Sequence, residues 1–247
     1  MVIAGGSSIS NNTAFLGGGL DAAGHANVTI TGGSRVDGNT ATIGGGVLAA
    51  GNASVTINGC SRVHGNRADK RGGGVAVVIG GQVTILNSTV YDNTAGLGGG
   101  LFAGYARQLT ITNSSVHDNL AEYSGGVYAN DSKLTITSSS VHGNTAQLIG
   151  GGVVANGTAA VTITRSSVHS NTARVSGGGM RVEEKARVSV EDGTLLSNNT
   201  ARDAGGGLQA LHTVHVTLTG GSRVYGNRAG TGGRVWAGWD AQVITMS

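Results

Sequence analysis

Val141-His142-Gly143-Asn144-Thr145-Ala146, followed by Gly150-Gly151-Gly152-Val153, decides the fold because the same unit recurs along the chain. Its Asn stands at Asn12, Asn39, Asn66, Asn93, Asn119, Asn144, Asn171, Asn199 and Asn227, at steps of 27, 27, 27, 26, 25, 27, 28 and 28 residues. An Ala follows two places later in every copy, from Ala14 to Ala229. Repetition at a fixed period means stacked units in one elongated body, so the length of 247 residues says little about domain number.

Three short strand signals recur in each unit. After the glycines comes an aliphatic column, Leu20, Val47, Val75, Leu101, Val127, Val153, Met180, Leu208 and Val235, with a small apolar residue two places on. Period-two alternation puts both columns on one side of a strand. The second signal is a Val-Thr-Ile run such as Val55-Thr56-Ile57 or Leu134-Thr135-Ile136. The third is the column Ile9, Val36, Val63, Val90, Val116, Val141, Val168, Leu196 and Val224, just before the Asn corner. Strands this short cannot bury a core alone. Coiling the chain so that each strand pairs with its copy one turn later satisfies the backbone and stacks the aliphatic columns.

The expected fold is therefore all-β: one continuous right-handed parallel β-helix over residues 1–247, about 27 residues per turn, with three short strands per turn and about 8–9 turns. Eight steps of roughly 4.8 Å make a rod of about 38 Å. The Asn column is structural, a ladder bonding the bend and the Asn of the next turn. The Ala column marks a crowded inward position. Gly is 46 residues and Pro is 0, without a collagen period, so the glycines are corners rather than slack. The runs at 67–71 and 181–185 hold most of the clustered charge and read as solvated loops.

The formal charge is +3 with 12% charged residues, too weak and dispersed for a nucleic-acid partner. Cys60 is alone, which excludes a disulfide framework and a Cys-based metal cluster. No apolar run is long enough for a membrane helix, so no direct membrane insertion is expected. No signal peptide is visible after Met1. Both ends fall inside repeats, so the chain reads as an excerpt of a longer one. Open strand edges at each end predict end-to-end self-association.

The paired motifs, as in Val36-Asp37-Gly38-Asn39 with Gly44-Gly45-Gly46-Val47 and Val116-His117-Asp118-Asn119 with Ser124-Gly125-Gly126-Val127, resemble the repeats of the polymorphic outer membrane proteins, an autotransporter adhesin family, and of related β-helix surface proteins. The resemblance covers nearly the whole chain, with Val where the family has Phe or another aliphatic, and without the carboxy-terminal barrel. It implies a secreted or surface-displayed, non-enzymatic adhesin-like rod, outer-membrane if autotransported. A host-surface protein or glycan is the implied partner, and no cofactor is implied.

Two other functions have residues that would serve them. Thr29/Thr31, Thr110/Thr112, Thr135/Thr137, Thr162/Thr164 and Thr217/Thr219 form outward Thr-x-Thr columns that resemble the ice-binding face of β-solenoid antifreeze proteins, although the second column is broken by Asn58, Leu86 and Glu191. Asp92 and Asp118 occupy one repeat position in adjacent turns, the only catalytic candidates, and would suit a polysaccharide lyase or glycoside hydrolase. Elsewhere that position holds Gly38, Gly65, Gly143 and Gly226, the mark of a polar corner that tolerates Asp. His64, His117, His142 and His169 share one outward column with Tyr91 and Tyr225. A straight column does not converge tetrahedrally, so no metal site is expected. Eight sequons, including Asn87-Ser88-Thr89 and Asn113-Ser114-Ser115, are open to glycosylation in a host that modifies secreted proteins.

Overall fold

A computed structural model describes residues 1–246 and shows a parallel β-helix. Each turn runs through four sheets, numbered I to IV here in the order the chain meets them after the glycine corner. One turn illustrates it: Val127–Asn130 in sheet I, Lys133–Thr137 in sheet II, Ser140–His142 in sheet III and Thr145–Ile149 in sheet IV. Among the described residues the sheets contain nine, ten, nine and seven strands, each strand pairing in parallel with its copies in the adjacent turns.

The aliphatic columns point inward as the alternation predicts. Ile30, Ile57, Ile85, Ile111, Ile136 and Ile163 of sheet II are fully buried and stack on one another. They join the Val column of sheet III and the paired columns of sheet I in one continuous core. Each such side chain contributes roughly 1.5–3 kcal/mol by leaving water, which no single three-to-five-residue strand could gain alone.

The fourth strand corrects the expectation of three. Residues after the Asn corner, such as Thr40–Ile43 and Arg67–Arg71, form sheet IV. The extra residue at 67–71 is taken up as an irregularity in strand register between Ala68 and Arg71, so this charged run is a strand and not a loop. Likewise Arg181 lies in the strand Met180–Val182, paired with Glu183 and bonded to Ser176 and Gln209. The Ala column is buried from Ala41 to Ala201, but it stands apart from the continuous core. Ala14 is exposed and Ala229 half-buried, both in terminal turns.

Two polar ladders hold the bends. In the Asn column each Oδ1 accepts from the backbone N–H and the Nδ2 of the Asn one turn earlier, as in Asn66 to Asn93 (both 3.0 Å). Each interior Nδ2 also donates to a carbonyl of sheet III, Val36 in the case of Asn66 (2.9 Å). The bonds run unbroken from Asn12 to Asn227. A second ladder, not foreseen, lies between sheets II and III: the backbone N–H groups of Ser88, Ser114, Ser139 and Ser166 donate to the hydroxyls of Ser114, Ser139, Ser166 and Thr194 at 3.1–3.2 Å.

The glycine corner is re-entrant, and its composition follows from contact. In the triplet 98–100, Gly98 has φ +64, and a Cβ on Gly99 would lie 2.5 Å from the Leu120 carbonyl oxygen. A Cβ on Gly100 would lie 2.9 Å from the Asn119 amide, so the triplet packs directly on sheet IV and the Asn ladder. This inward fold shelters the outer side of sheet I, where Leu48, Ala76, Phe102 and Val154 are buried although they point away from the core.

Candidate functional site

Sheet II places the Thr residues as the alternation requires. Thr29, Thr56, Thr84, Thr110, Thr135, Thr162, Ser189 and Thr217 stand in one half-buried outward column in strict register. The second column is continuous only over Thr112, Thr137 and Thr164, bounded by Leu86 and Glu191. The regular two-column patch is thus three turns long, and Thr31 and Thr219 stand away from it.

Asp92 and Asp118 lie exposed at the corner between sheets III and IV, each with φ 53. Asn11, Gly38, Gly65, Gly143, Ser170, Asn198 and Gly226 share that left-handed conformation at the same corner. The position selects residues that tolerate positive φ, which accounts for Asp without invoking catalysis. Asp118 accepts from His117 Nδ1 at 2.8 Å. Among the described residues no three His, Cys, Asp or Glu side chains come together as a cation site.

The histidines form an aromatic ladder on sheet III. His64, Tyr91, His117, His142 and His169 stack with near-parallel rings at centroid spacings of 4.7, 5.2, 4.9 and 4.9 Å. Nε2 of His142 meets Ser115 Oγ and Nε2 of His169 meets Ser140 Oγ, both at 3.2 Å. Burial, then the neighbouring His117 and His169, pull the His142 imidazole below its usual range, with Asp118 opposing; burial does the same at His169. Beside the ladder, along the corner between sheets II and III, runs an open groove of about 890 Å³ whose walls include Arg62, Ser115, Ser140, Ser167 and Arg165.

A second concavity escaped the sequence reading. On the outer side of sheet I, the end of sheet IV and the next corner enclose a slot of about 450 Å³. Its floor is Val78, Gly104, Phe102 and Tyr128; Arg71 and Leu97 form one wall, Ile79 and Tyr105 the other. Phe102 and Tyr128 stack at 5.6 Å, and the Arg71 guanidinium lies 5.4 Å from the Phe102 ring centre. Tyr105 and Ile79 are 67% and 71% exposed with positive φ, so a strained backbone holds two bulky apolar side chains out toward water. Asn156 donates to the Tyr128 hydroxyl at 3.2 Å, and burial raises that phenol above its usual range. One signal was available: of nine aromatic residues (Phe 2, Tyr 5, Trp 2), Phe102, Tyr105, Tyr123 and Tyr128 fall within a single repeat length.

Comparison with known proteins adds one finding. Residues 2–150 match the family model described as a right handed beta helix region. No curated protein and no solved structure matches the chain.

Proposed function

The chain belongs to the right-handed β-helix family, and from that premise we propose that it is a non-enzymatic, adhesin-like binding rod displayed outside the cell. The slot between Arg71 and Tyr105 carries this reading. Bulky apolar side chains held out to water by a rigid scaffold cost stability unless a partner covers them, and concave apolar sites with a few polar groups are where partners bind. The resemblance to polymorphic outer membrane protein repeats supports the adhesin class and a location at the cell surface. A host-surface protein or glycan is the partner expected, held without covalent chemistry.

The test is binding to arrayed glycans and host-surface proteins, comparing the parent chain with the Arg71→Ala/Tyr105→Ala variant. Retention of one ligand, its loss of at least about tenfold in affinity in the variant (about 1.4 kcal/mol), and an unchanged ligand mass after incubation are expected. A ligand cleaved during incubation, or retained equally by the variant, refutes the proposal. The three-turn Thr patch favours ice binding as a second reading, because its hydroxyls repeat in register on a flat outer face. Thermal hysteresis in the parent that disappears in Thr135→Leu/Thr137→Leu would establish it.

A further inference from the structure

The ladder on sheet III has a charge balance that depends on its histidines. The outward positions of this sheet and its corner with sheet II carry four cations, Arg35, Arg62, Arg165 and Arg223. The same sheet and its two corners carry four anions, Asp37, Asp92, Asp118 and Asp192. Arg165 is paired with Asp192 at 3.2 Å and His117 with Asp118 at 2.8 Å. The bordering columns add Arg228 on sheet IV and Glu191 on sheet II, which offset each other, and Arg67, which is paired with Asp69. With neutral imidazoles the face is balanced. Protonation of His64, His117, His142 and His169 adds four positive charges in a line, at one ring per turn except where Tyr91 intervenes.

We propose that this face of sheet III, the ladder together with the hydroxyl groove beside it, binds a linear polyanionic polysaccharide in mildly acidic surroundings and releases it near neutrality. Each turn of about 4.8 Å presents one ring edge and one hydroxyl, Ser115, Ser140 and Ser167 in successive turns. The Nε2 edges of His142 and His169 already face those hydroxyls, so a protonated ring can donate toward a ligand in the groove. Imidazole is the side chain whose charge changes between about pH 5 and 8. Charging three adjacent rings 4.9 Å apart is self-repulsive, and a polyanion relieves that repulsion, so ligand and protons bind together. The ladder rings cover one another's faces except at its ends, His64 and His169, which leaves no free stacking platform along the interior of the column for the bases of a single-stranded nucleic acid. The hydroxyl-rich groove suits a sugar chain instead.

Dextran sulfate is the probe, because its sulfates stay ionised across the range, and unsulfated dextran is its partner control. Affinity for the whole chain is measured at about pH 5.5 and about pH 7.5, alongside His117→Gln/His142→Gln/His169→Gln, whose far-UV circular dichroism verifies the fold. The expected result is at least about tenfold tighter binding of dextran sulfate at the lower pH, none of dextran, and no pH dependence in the triple variant. Arg62→Gln is expected to weaken binding at both pH values. Equal affinity at the two pH values, pH dependence that survives in the triple variant, or a single-stranded oligonucleotide bound as tightly as dextran sulfate would each overturn the proposal.

Discussion

Replacing Asn119 by Ala tests the claim that the Asn ladder holds the corner. Asn119 is 1% exposed and its side chain makes five hydrogen bonds. Its Oδ1 accepts from the backbone N–H and from Nδ2 of Asn93, both at 3.0 Å. The two hydrogens of its Nδ2 are shared among the carbonyls of Val90 and His117 and Oδ1 of Asn144, at 3.1, 2.9 and 2.9 Å. Asn119→Ala therefore orphans the buried backbone N–H of Asn93, a residue with no exposed surface, whereas Asn93 Nδ2 keeps the carbonyls of Val63 and Tyr91. A buried donor left without a partner costs about 1–3 kcal/mol, a sizeable part of the 5–15 kcal/mol that typically separates folded from unfolded chains. The control is Asn12→Ala. Asn12 is exposed, and among the described residues nothing in the column donates to its Oδ1, so its loss should cost no more than about 1 kcal/mol. Urea unfolding followed by far-UV circular dichroism measures both. Asn119→Asp adds a second arm: it keeps the acceptor for Asn93 but turns an oxygen toward three acceptors. It should destabilise at neutral pH at least as much as Asn119→Ala, with partial recovery on acidification. A cost below about 1 kcal/mol for Asn119→Ala, no larger than that for Asn12→Ala, would refute the ladder as a source of stability.

Three further outcomes are expected. Gly99→Ala should cost roughly 1–3 kcal/mol or more in the same unfolding assay, because its Cβ meets backbone and not a movable side chain. Gly193→Ala, at φ +72 with open space around the new Cβ, should cost only the roughly 1–2 kcal/mol of the left-handed conformation. Ile136→Ala in the central core should lose about 2–5 kcal/mol, whereas Ile244→Ala, already 47% exposed, should stay within about 0.5 kcal/mol of the parent. The fourth outcome concerns pH. The folded-state pKa of His142 lies below the unfolded value near 6.5, so the unfolded chain takes up the proton first. The contribution of His142 is therefore present above about pH 6.5 and is lost as pH falls toward the folded pKa. Melting temperature should drop on acidification through that window, and less so in His142→Gln; an equal drop in both would remove His142 as a cause.

Much of this molecule was legible in its sequence because a parallel β-helix is nearly one-dimensional. When every turn pairs with its own copy, the repeat period is also the register. Val36, Val63 and Val90 then have to stack, and Asn39, Asn66 and Asn93 have to meet. The inward columns, the outward Thr and His columns and the corner role of Asn144 all follow from that translation. The path around a single turn does not. Whether Thr40–Ile43 is a bend or a strand depends on how sheet IV lies against the glycine triplet. Alternation alone makes Phe102 and Leu48 outward and therefore wet; the re-entrant corner buries them instead. Arg71, Phe102, Tyr105 and Tyr128 likewise occupy different strands and corners of successive turns, and only their fold around that corner makes one slot of them. The sequence by itself determined what repeats along the axis, since neighbouring turns are related by the period. The tertiary structure decided which outward side chains are sheltered together, since that depends on angles between sheets that no spacing of residues encodes.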